Sequence, residues 1–133
     1  MIESFLAFGL HFVTAVAAVV LFLYLYALVT PYDDYKLIFD DYNTAAAIGL
    51  GGAVVGLCIP LFSALTHSVS YVDFLIWAIV AMVIQLLFAL LMTRLGGKYS
   101  FRKKIHDGVL PVGILMAFLS VGIGLLNAGS MSY

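Results

Sequence analysis

The chain has 133 residues, of which 65% are hydrophobic and 10% are charged, and its net charge at pH 7 is -1. A soluble domain typically carries about 25% charged residues, so this composition excludes a soluble single domain and indicates an integral membrane protein. The near-neutral charge gives no reason to expect a nucleic acid partner. The single cysteine, Cys58, excludes a disulfide within the chain.

Four long windows of the sequence contain no Asp, Glu, Lys or Arg. These windows are residues 4–32, 42–72, 74–93 and 108–133. About 20 apolar residues are enough to cross a bilayer as a helix. We therefore predict an all-α integral membrane protein, with a single domain over residues 1–133. Its four transmembrane helices are predicted at about residues 5–29, 44–66, 74–94 and 108–128.

The first two spans have recognisable end signals. Thr30 and Pro31 end the first span, because proline removes a hydrogen-bond donor and disfavours helix in the residue before it. Asn43 begins the second span as an N-cap. Pro60 is predicted to kink or break that span near its outer end and to free the carbonyl of Gly56.

The last two spans and the chain start carry similar signals. Gly96 and Gly97 end the third span, and Asp107 is predicted to cap the fourth. The N-terminus lacks the basic segment of a signal peptide, and its apolar run is longer than a signal peptide requires. We expect the first span to be retained in the membrane.

The basic residues predict the orientation of the chain. The connection after the first span contains Lys36. The other basic residues lie at the end of the third span and in the connection after it, and they are Arg94, Lys98, Arg102, Lys103 and Lys104. The second connection and both termini contain no Lys or Arg. The positive-inside rule therefore places the first and third connections in the cytoplasm and both termini outside.

The two predicted cytoplasmic loops differ in charge. The first is acidic, through Asp33, Asp34, Asp40 and Asp41, and the third is basic. They are either two solvated faces, or they lie side by side and form ion pairs. A third interpretation, which we favour, is that a basic cluster lies on anionic lipid headgroups. A partner protein is the alternative ligand of the same cluster. This cluster consists of Arg102, Lys103 and Lys104.

Small residues form one stripe on the second span and another on the fourth, each with the spacing four, three, four. The two stripes are Ala45, Gly49, Gly52 and Gly56, and Gly113, Ala117, Ser120 and Gly124. Small residues let helix backbones approach closely in a bilayer, so the stripes predict close packing within the bundle or between subunits. A narrow pathway lined by backbone is the alternative. The matched spacing also raises the possibility that the chain is two duplicated helix hairpins.

Few polar side chains lie within or next to the spans. The candidate polar or pathway residues are Gln85, Asn43, Thr44, His11 and Asn127. Gln85 is the deepest, and an amide that faces lipid is costly, so we expect it to face the bundle. A hydrogen bond between helices is the simplest interpretation, and a place on a pathway is the other. His11, close to the outer interface, is interpreted as a structural partner.

Groups that carry out chemistry are missing from the sequence. No carboxylate lies deep in a span, and no His, Cys, Asp and Glu cluster has the spacing of metal ligands. No set of residues suggests a nucleophile with its base, and no glycine-rich phosphate loop follows a strand. We therefore expect a protein that is not an enzyme and that has no cofactor and no metal.

Several short motifs are distributed along the whole chain, each at one position. They are Thr30-Pro31, Asn43-Thr44-Ala45-Ala46, Ile59-Pro60-Leu61, Val83-Ile84-Gln85-Leu86-Leu87 and Asn127-Ala128. In these motifs the chain resembles the YjfL-like bacterial inner-membrane proteins, grouped as domain of unknown function 350. The resemblance implies four spans built from two duplicated two-span units, with no established biochemical activity. The genomic company of that family implies a link to envelope stress and to polyamine-related ligases.

Two functions are compatible with these features. The first is an oligomeric scaffold or interaction protein of the inner membrane, linked to envelope stress, with the lipid bilayer, further copies of itself and a cytoplasmic stress-response protein as partners. The alternative is a small oligomeric channel or transporter for a small ion or solute, whose subunits meet at the stripes. The direction of Gln85 separates the two. A side chain that faces an axis shared by subunits favours a pathway, and one that faces its own bundle favours a scaffold.

Overall fold

The computed structural model describes residues 1–132 as a bundle of helices. In chain order these are α1 (Ile2–Val29), α2 (Asp34–Phe39), α3 (Thr44–His67), α4 (Tyr71–Arg94), a 3-10 turn (Gly97–Tyr99), α5 (Phe101–His106) and α6 (Leu110–Ser130). No strand occurs within these residues. The helices α1, α3, α4 and α6 have 28, 24, 24 and 21 residues, and each is long and apolar enough to cross a membrane. The predicted all-α fold with four spans is therefore confirmed.

α4 begins at Tyr71, before the predicted start at residue 74, because the residues in front of it form a cap. The Ser70 hydroxyl accepts a hydrogen bond from the amide of Asp73 at 3.1 Å. In return, the Asp73 carboxylate accepts one from the amide of Val69 at 3.0 Å. This reciprocal pair satisfies amides that have no partner inside the helix and fixes the start of α4.

The prediction that Asp107 caps the fourth span is wrong. Asp107 follows the last residue of α5, and the N-cap of α6 is Val109, which makes no side-chain capping bond. Between them Gly108 has a φ of 75°, a left-handed conformation that turns the chain and that glycine adopts at little cost. Pro111 lies in the first turn of α6, where its missing amide hydrogen leaves no bond unmade.

α3 lies at the centre of the bundle. It packs along α6 more extensively than along any other helix, and it also contacts α4 and α1. Half of its most apolar segment is buried, compared with 17% for α1. α1 therefore lies at the periphery, where it contacts mainly α4. Its large exposed side chains include Phe5, Phe8 and Phe12.

The two small-residue stripes face each other in the contact between α3 and α6. Gly113 lies against the backbone of Ala45, and Gly52 lies against the backbone of Ala117. A methyl group at either glycine would overlap that backbone. The contacts occur in the same order along both helices, so α3 and α6 are parallel. Close backbone approach of this kind is how small residues join helices in a bilayer.

Pro60 lies within α3 and does not break it. The prediction was a kink or a break at Pro60, and the helix runs without interruption from Thr44 to His67, so no break occurs. The carbonyl of Gly56, four residues before the proline, lies against Gly124 of α6. A neighbouring helix can accommodate a backbone group of this kind within a membrane, which is why proline is tolerated there. Pro60 itself is buried.

The two charged loops are not joined by ion pairs within residues 1–132. Lys36 pairs with Asp41 inside the first loop at 3.4 Å, and His106 lies 3.5 Å from Asp107 at the end of α5. All four side chains are about half exposed or more. Exposed pairs contribute about 0–1 kcal/mol each. The interpretation in which the acidic and basic loops pair with each other is not what the structure shows.

Candidate functional site

A buried hydrogen-bond network joins α4 to α6 inside the membrane-spanning part of the bundle. The Gln85 side chain, 4% exposed, donates from Nε2 to the carbonyl of Ser120 at 3.3 Å. The Asn127 side chain donates from Nδ2 to Oε1 of Gln85 at 3.2 Å and to the carbonyl of Ala81 at 3.3 Å. Gln85 therefore faces its own bundle, and both ends of its amide have partners.

The network also touches α3, through a glycine of the stripe. A methyl group at Gly56 would lie 2.9 Å from Nε2 of Gln85 and would overlap the carbonyl of Ser120. The amide of Gln85 therefore packs over the bare backbone of α3 at the point where three helices meet. A larger residue at position 56 would displace both the amide and α6.

The chemistry of this network is limited to hydrogen bonding. Gln85 and Asn127 carry neutral amides, which do not titrate and are weak metal ligands by themselves. No group of three or more potential metal ligands occurs among residues 1–132. The arrangement can fix the rotation and depth of α4 against α6, because each amide has few compatible positions. It offers no proton relay.

His11 lies away from this network, in the contact between α1 and α4. Its Nδ1 donates to the carbonyl of Ala7 at 2.7 Å. The rings of Tyr71 and Phe74 surround it, each with its centroid 5.5 Å from the imidazole centroid. Nearby, the Thr14 and Tyr71 hydroxyls lie 2.8 Å apart. These contacts make His11 part of the packing of α1 on α4.

Asn43 and Thr44 lie at the other end of α3, so the five candidate polar residues do not converge. The Asn43 Oδ1 accepts from the amide of Ala46 at 3.0 Å, which caps α3. Its Nδ2 donates to the carbonyl of Ile105 at 2.7 Å, which ties the first loop to α5. Thr44 is exposed in the first turn of the helix. The structure does not place either residue beside Gln85.

The basic cluster of Arg102, Lys103 and Lys104 is exposed on α5. α5 is held to the bundle by Ile105, which is fully buried in the main core cluster. A small cleft between α5 and the end of the first span is lined by Pro31, Tyr32, Arg102, Lys103 and His106. The side chains of the cluster are thus presented on a short helix with a fixed base.

Sequence reasoning missed a second buried polar group, which lies in the first loop. Asp34 was grouped with the acids of a loop expected to be either solvated or ion-paired, yet it is 2% exposed. The Thr30 hydroxyl lies 2.5 Å from its Oδ2 and donates to it. Burial raises the pKa of Asp34 to about 6, against the opposing effect of the Thr30 hydrogen bond. No local pattern in the sequence signals this burial, because Thr30 and Pro31 end α1 and Asp34 begins a separate helix.

Comparison with known proteins identifies the family. The family described as Domain of Unknown Function (DUF350) matches residues 1–131. The chain belongs to this family. It is also 36% identical, over 99% of its length and 98% of the relative's, to the UPF0719 inner membrane protein YjfL of Escherichia coli strain K12. The protein of the same name from Escherichia coli O157:H7 matches equally. No solved structure matches.

The family resemblance predicted from the sequence motifs is therefore confirmed. The name of these relatives places them in the inner membrane, and neither that name nor the family description states an activity. The chain itself offers two candidate features, the network around Gln85 beside the middle of α3 and the charged loops near the start of that helix.

Proposed function

We propose that this protein is a scaffold of the bacterial inner membrane, without enzymatic activity, that assembles as a homo-oligomer and presents its charged loops to a cytoplasmic stress-response protein. The observation that carries the proposal is the position of Gln85. Its amide is buried in its own bundle and is bonded to Ser120 and Asn127. A polar group that lined a pathway between subunits would need to face outward with free hydrogen-bonding capacity.

The packing of the stripes also favours a scaffold over a channel. A channel assembled at the stripes needs them on the outside of the subunit, whereas Gly52 and Gly113 are in contact with the opposite helix of the same chain. A homo-oligomer must therefore use other surfaces. Peripheral α1 supports this, since its only buried residues are Ala15, Phe22 and Tyr26. The inner-membrane location is proposed from the description of the relatives.

The loops supply the proposed binding surface for partners. The cluster of Arg102, Lys103 and Lys104 is exposed and makes no ion pair within the described residues. Basic side chains next to a membrane are attracted to anionic headgroups by about 1 kcal/mol each, and an acidic protein surface would be bound by the same charges. The link to envelope stress is proposed from the family resemblance.

The orientation in this proposal, with loops inside and termini outside, can be tested by labelling. We expect Val69→Cys to react with an impermeant thiol reagent added to intact cells and Tyr99→Cys to react only after lysis. Both positions are well exposed. Both variants are made in a Cys58→Ala background, since Cys58 is an exposed free thiol. Reaction of Tyr99→Cys in intact cells would show that the orientation is the opposite of the predicted one.

The scaffold itself is tested by flux and by partner capture. We expect liposomes that contain the wild-type protein to show no flux of small cations, anions or polyamines. Selective flux that falls in Gln85→Leu would establish the channel alternative instead. Native mass spectrometry from nanodiscs measures the oligomer, and a monomer would refute that part of the proposal.

Partner capture uses crosslinking in intact cells followed by mass spectrometry. Specific cytoplasmic partners should disappear when Arg102, Lys103 and Lys104 are all replaced by Gln. The control replaces Lys36 and Lys98 by Gln, which removes basic charge from both loops but leaves the cluster intact. Equal loss of partners in both variants would mean that general charge, and not the cluster, holds them.

A further inference from the structure

Asp34 is unusual among the carboxylates of the described chain because it alone is buried. It begins α2 and faces the bundle, while Asp33 and Lys36 beside it are exposed. No basic side chain lies within ion-pair distance of it among residues 1–132. The side-chain donor that it has is the hydroxyl of Thr30. A carboxylate held in this way loses most of its hydration without gaining a counter-charge.

The other titratable and charged groups around Asp34 come from several elements. Tyr26 of α1 and Tyr32, Asp33 and Tyr35 of its own segment interact with Asp34 electrostatically. On α4 and α5, the charged groups that contact the residues before Asp34 or share a cleft with them are Arg94, Arg102, Lys103 and His106. The cytoplasmic ends of α3 and α6 contribute no charged side chain. Arg94 is occupied with the carbonyl of Val29 at 3.0 Å, and the basic residues of α5 lie across the cleft beside Tyr32.

A second buried polar group, the Tyr26 hydroxyl, lies beside Asp34. The Tyr26 hydroxyl is buried, with the whole residue 1% exposed, and it makes no hydrogen bond of normal geometry. It faces the Tyr32 hydroxyl and the Asp34 carboxyl and interacts with both electrostatically. Tyr32 is turned toward the sulfur of Met116, 3.7 Å from its hydroxyl. A buried polar atom without a well-formed hydrogen bond is rare, and it often marks a functional group.

We propose that Asp34, buried beside Thr30 and Tyr26, is a proton-binding site that keeps the first loop, residues 30–43, docked on the bundle while the proton is bound. When the proton leaves to the water at that membrane face, the carboxylate is left charged in an apolar setting. Its hydration can be recovered if α2 moves outward. The loop then opens around Asp34, while Asn43 still anchors its far end to Ile105.

The range of pH in which the site changes follows from its burial. Desolvation raises the pKa of Asp34 to about 6 in the docked loop, from 3.8 when exposed. The docked loop therefore binds the proton more tightly than the open loop does, and its docking weakens as the pH rises between these values. With those two values, opening of the loop increases about tenfold between pH 5 and pH 7.5.

The test is hydrogen–deuterium exchange of the protein in nanodiscs at pH 5 and pH 7.5, with each rate corrected for the intrinsic pH dependence of exchange. The protection factors of the α2 amides should be about tenfold lower at the higher pH. The protection factors of the amides in the middle of α3 should be the same at both pH values. In Asp34→Asn, which has a neutral side chain of the same shape, the pH dependence of α2 should vanish. The matched control is Asp40→Asn, an exposed acid of the same loop, which should behave as wild type.

Two further measurements keep the inference falsifiable if Asp34→Asn folds poorly. The carboxyl carbon of Asp34 in wild-type protein, followed by NMR, should titrate near pH 6, and a midpoint near 4 would overturn the proposal. Thr30→Val removes the donor that favours the charged form, so the midpoint should move to higher pH. Equal protection of α2 at both pH values would also overturn the proposal. All these results are independent of the scaffold function.

Discussion

The Asn43 side chain joins the two charged loops at the start of α3. Its Nδ2 donates to the carbonyl of Ile105 at 2.7 Å, while its Oδ1 accepts from the amide of Ala46. One amide therefore begins α3 and satisfies the backbone near the end of α5. Since Ile105 is fully buried, this bond links the position of α5 to the start of the central helix.

The two roles of Asn43 can be separated by substitution. Asn43→Asp keeps an oxygen that caps α3 but places a carboxylate against the carbonyl of Ile105. Asn43→Ala loses both interactions. We expect Asn43→Ala to lower the free energy of unfolding by about 1–3 kcal/mol. We expect Asn43→Asp to be destabilising as well, because the carbonyl of Ile105 loses its donor. Denaturation in mild detergent measures both, and a stable Asn43→Asp variant would show that only the cap matters.

Two adjacent glycines of α3 should respond to alanine in opposite ways. A methyl group at Gly52 overlaps the backbone of Ala117, whereas one at Gly51 meets nothing within 4 Å. Gly52→Ala should destabilise the protein by about 1–3 kcal/mol through overpacking. Gly51→Ala should stabilise it by about 0.5–1 kcal/mol, since alanine is the better helix former. Thermal unfolding of the two variants checks the difference, and similar melting temperatures would contradict the contact between α3 and α6.

The hydrogen bond between Gln85 and Asn127 can be measured by a double-mutant cycle. Single replacements by Leu and the double variant should give a coupling free energy of about 0.6 kcal/mol, with about 1.7 kcal/mol as the upper end for such bonds in membranes. The control cycle uses Val83→Ala and Leu125→Ala, two exposed residues on the same helices. A coupling of zero in the first cycle would show that the network does not stabilise the fold.

Two tyrosines near the first loop provide a matched test of hydrogen bonding. The Tyr26 hydroxyl is buried beside the Tyr32 hydroxyl without a hydrogen bond of normal geometry, whereas the Tyr35 hydroxyl donates to the carbonyl of Leu23 at 2.8 Å. We expect Tyr26→Phe to leave stability unchanged or to raise it at pH 5. Tyr35→Phe should lower it by about 1 kcal/mol. Unfolding curves at a single pH compare them, and a larger loss in Tyr26→Phe would mean that its hydroxyl is bonded after all.

The stability of the whole protein should depend on pH through Asp34. Its pKa is about 6 when folded and 3.8 in the unfolded reference, so the folded state retains the proton at a pH where the unfolded state has lost it. The contribution of Asp34 to the free energy of unfolding is fully present below about pH 4. It decreases as the pH rises to about 6, by about 3 kcal/mol in total. Unfolding free energies of wild type and Asp34→Asn across this range give the difference. A flat difference would contradict the burial of Asp34.

Single residues show how far a sequence can be interpreted alone. The spans were predictable because a helix of about 20 apolar residues is stable in a bilayer whatever its neighbours are. The cap at Asn43 was predictable because capping involves residues only three positions apart. The same reasoning failed at Asp107, where the turn at Gly108 moved the start of α6 beyond the reach of the carboxylate.

The sequence by itself determined the family, the four spans and the presence of two small-residue stripes, since these depend on composition and local spacing. Only the tertiary structure decided that the stripes face each other and that Gln85 bonds to Asn127, residues 42 positions apart. The same holds for Asp34, which looks like its exposed neighbours in sequence. Its burial depends on how the chain after Pro31 folds back onto α3 and α6. Hydrophobicity along the chain carries no information about which residues of distant segments come into contact.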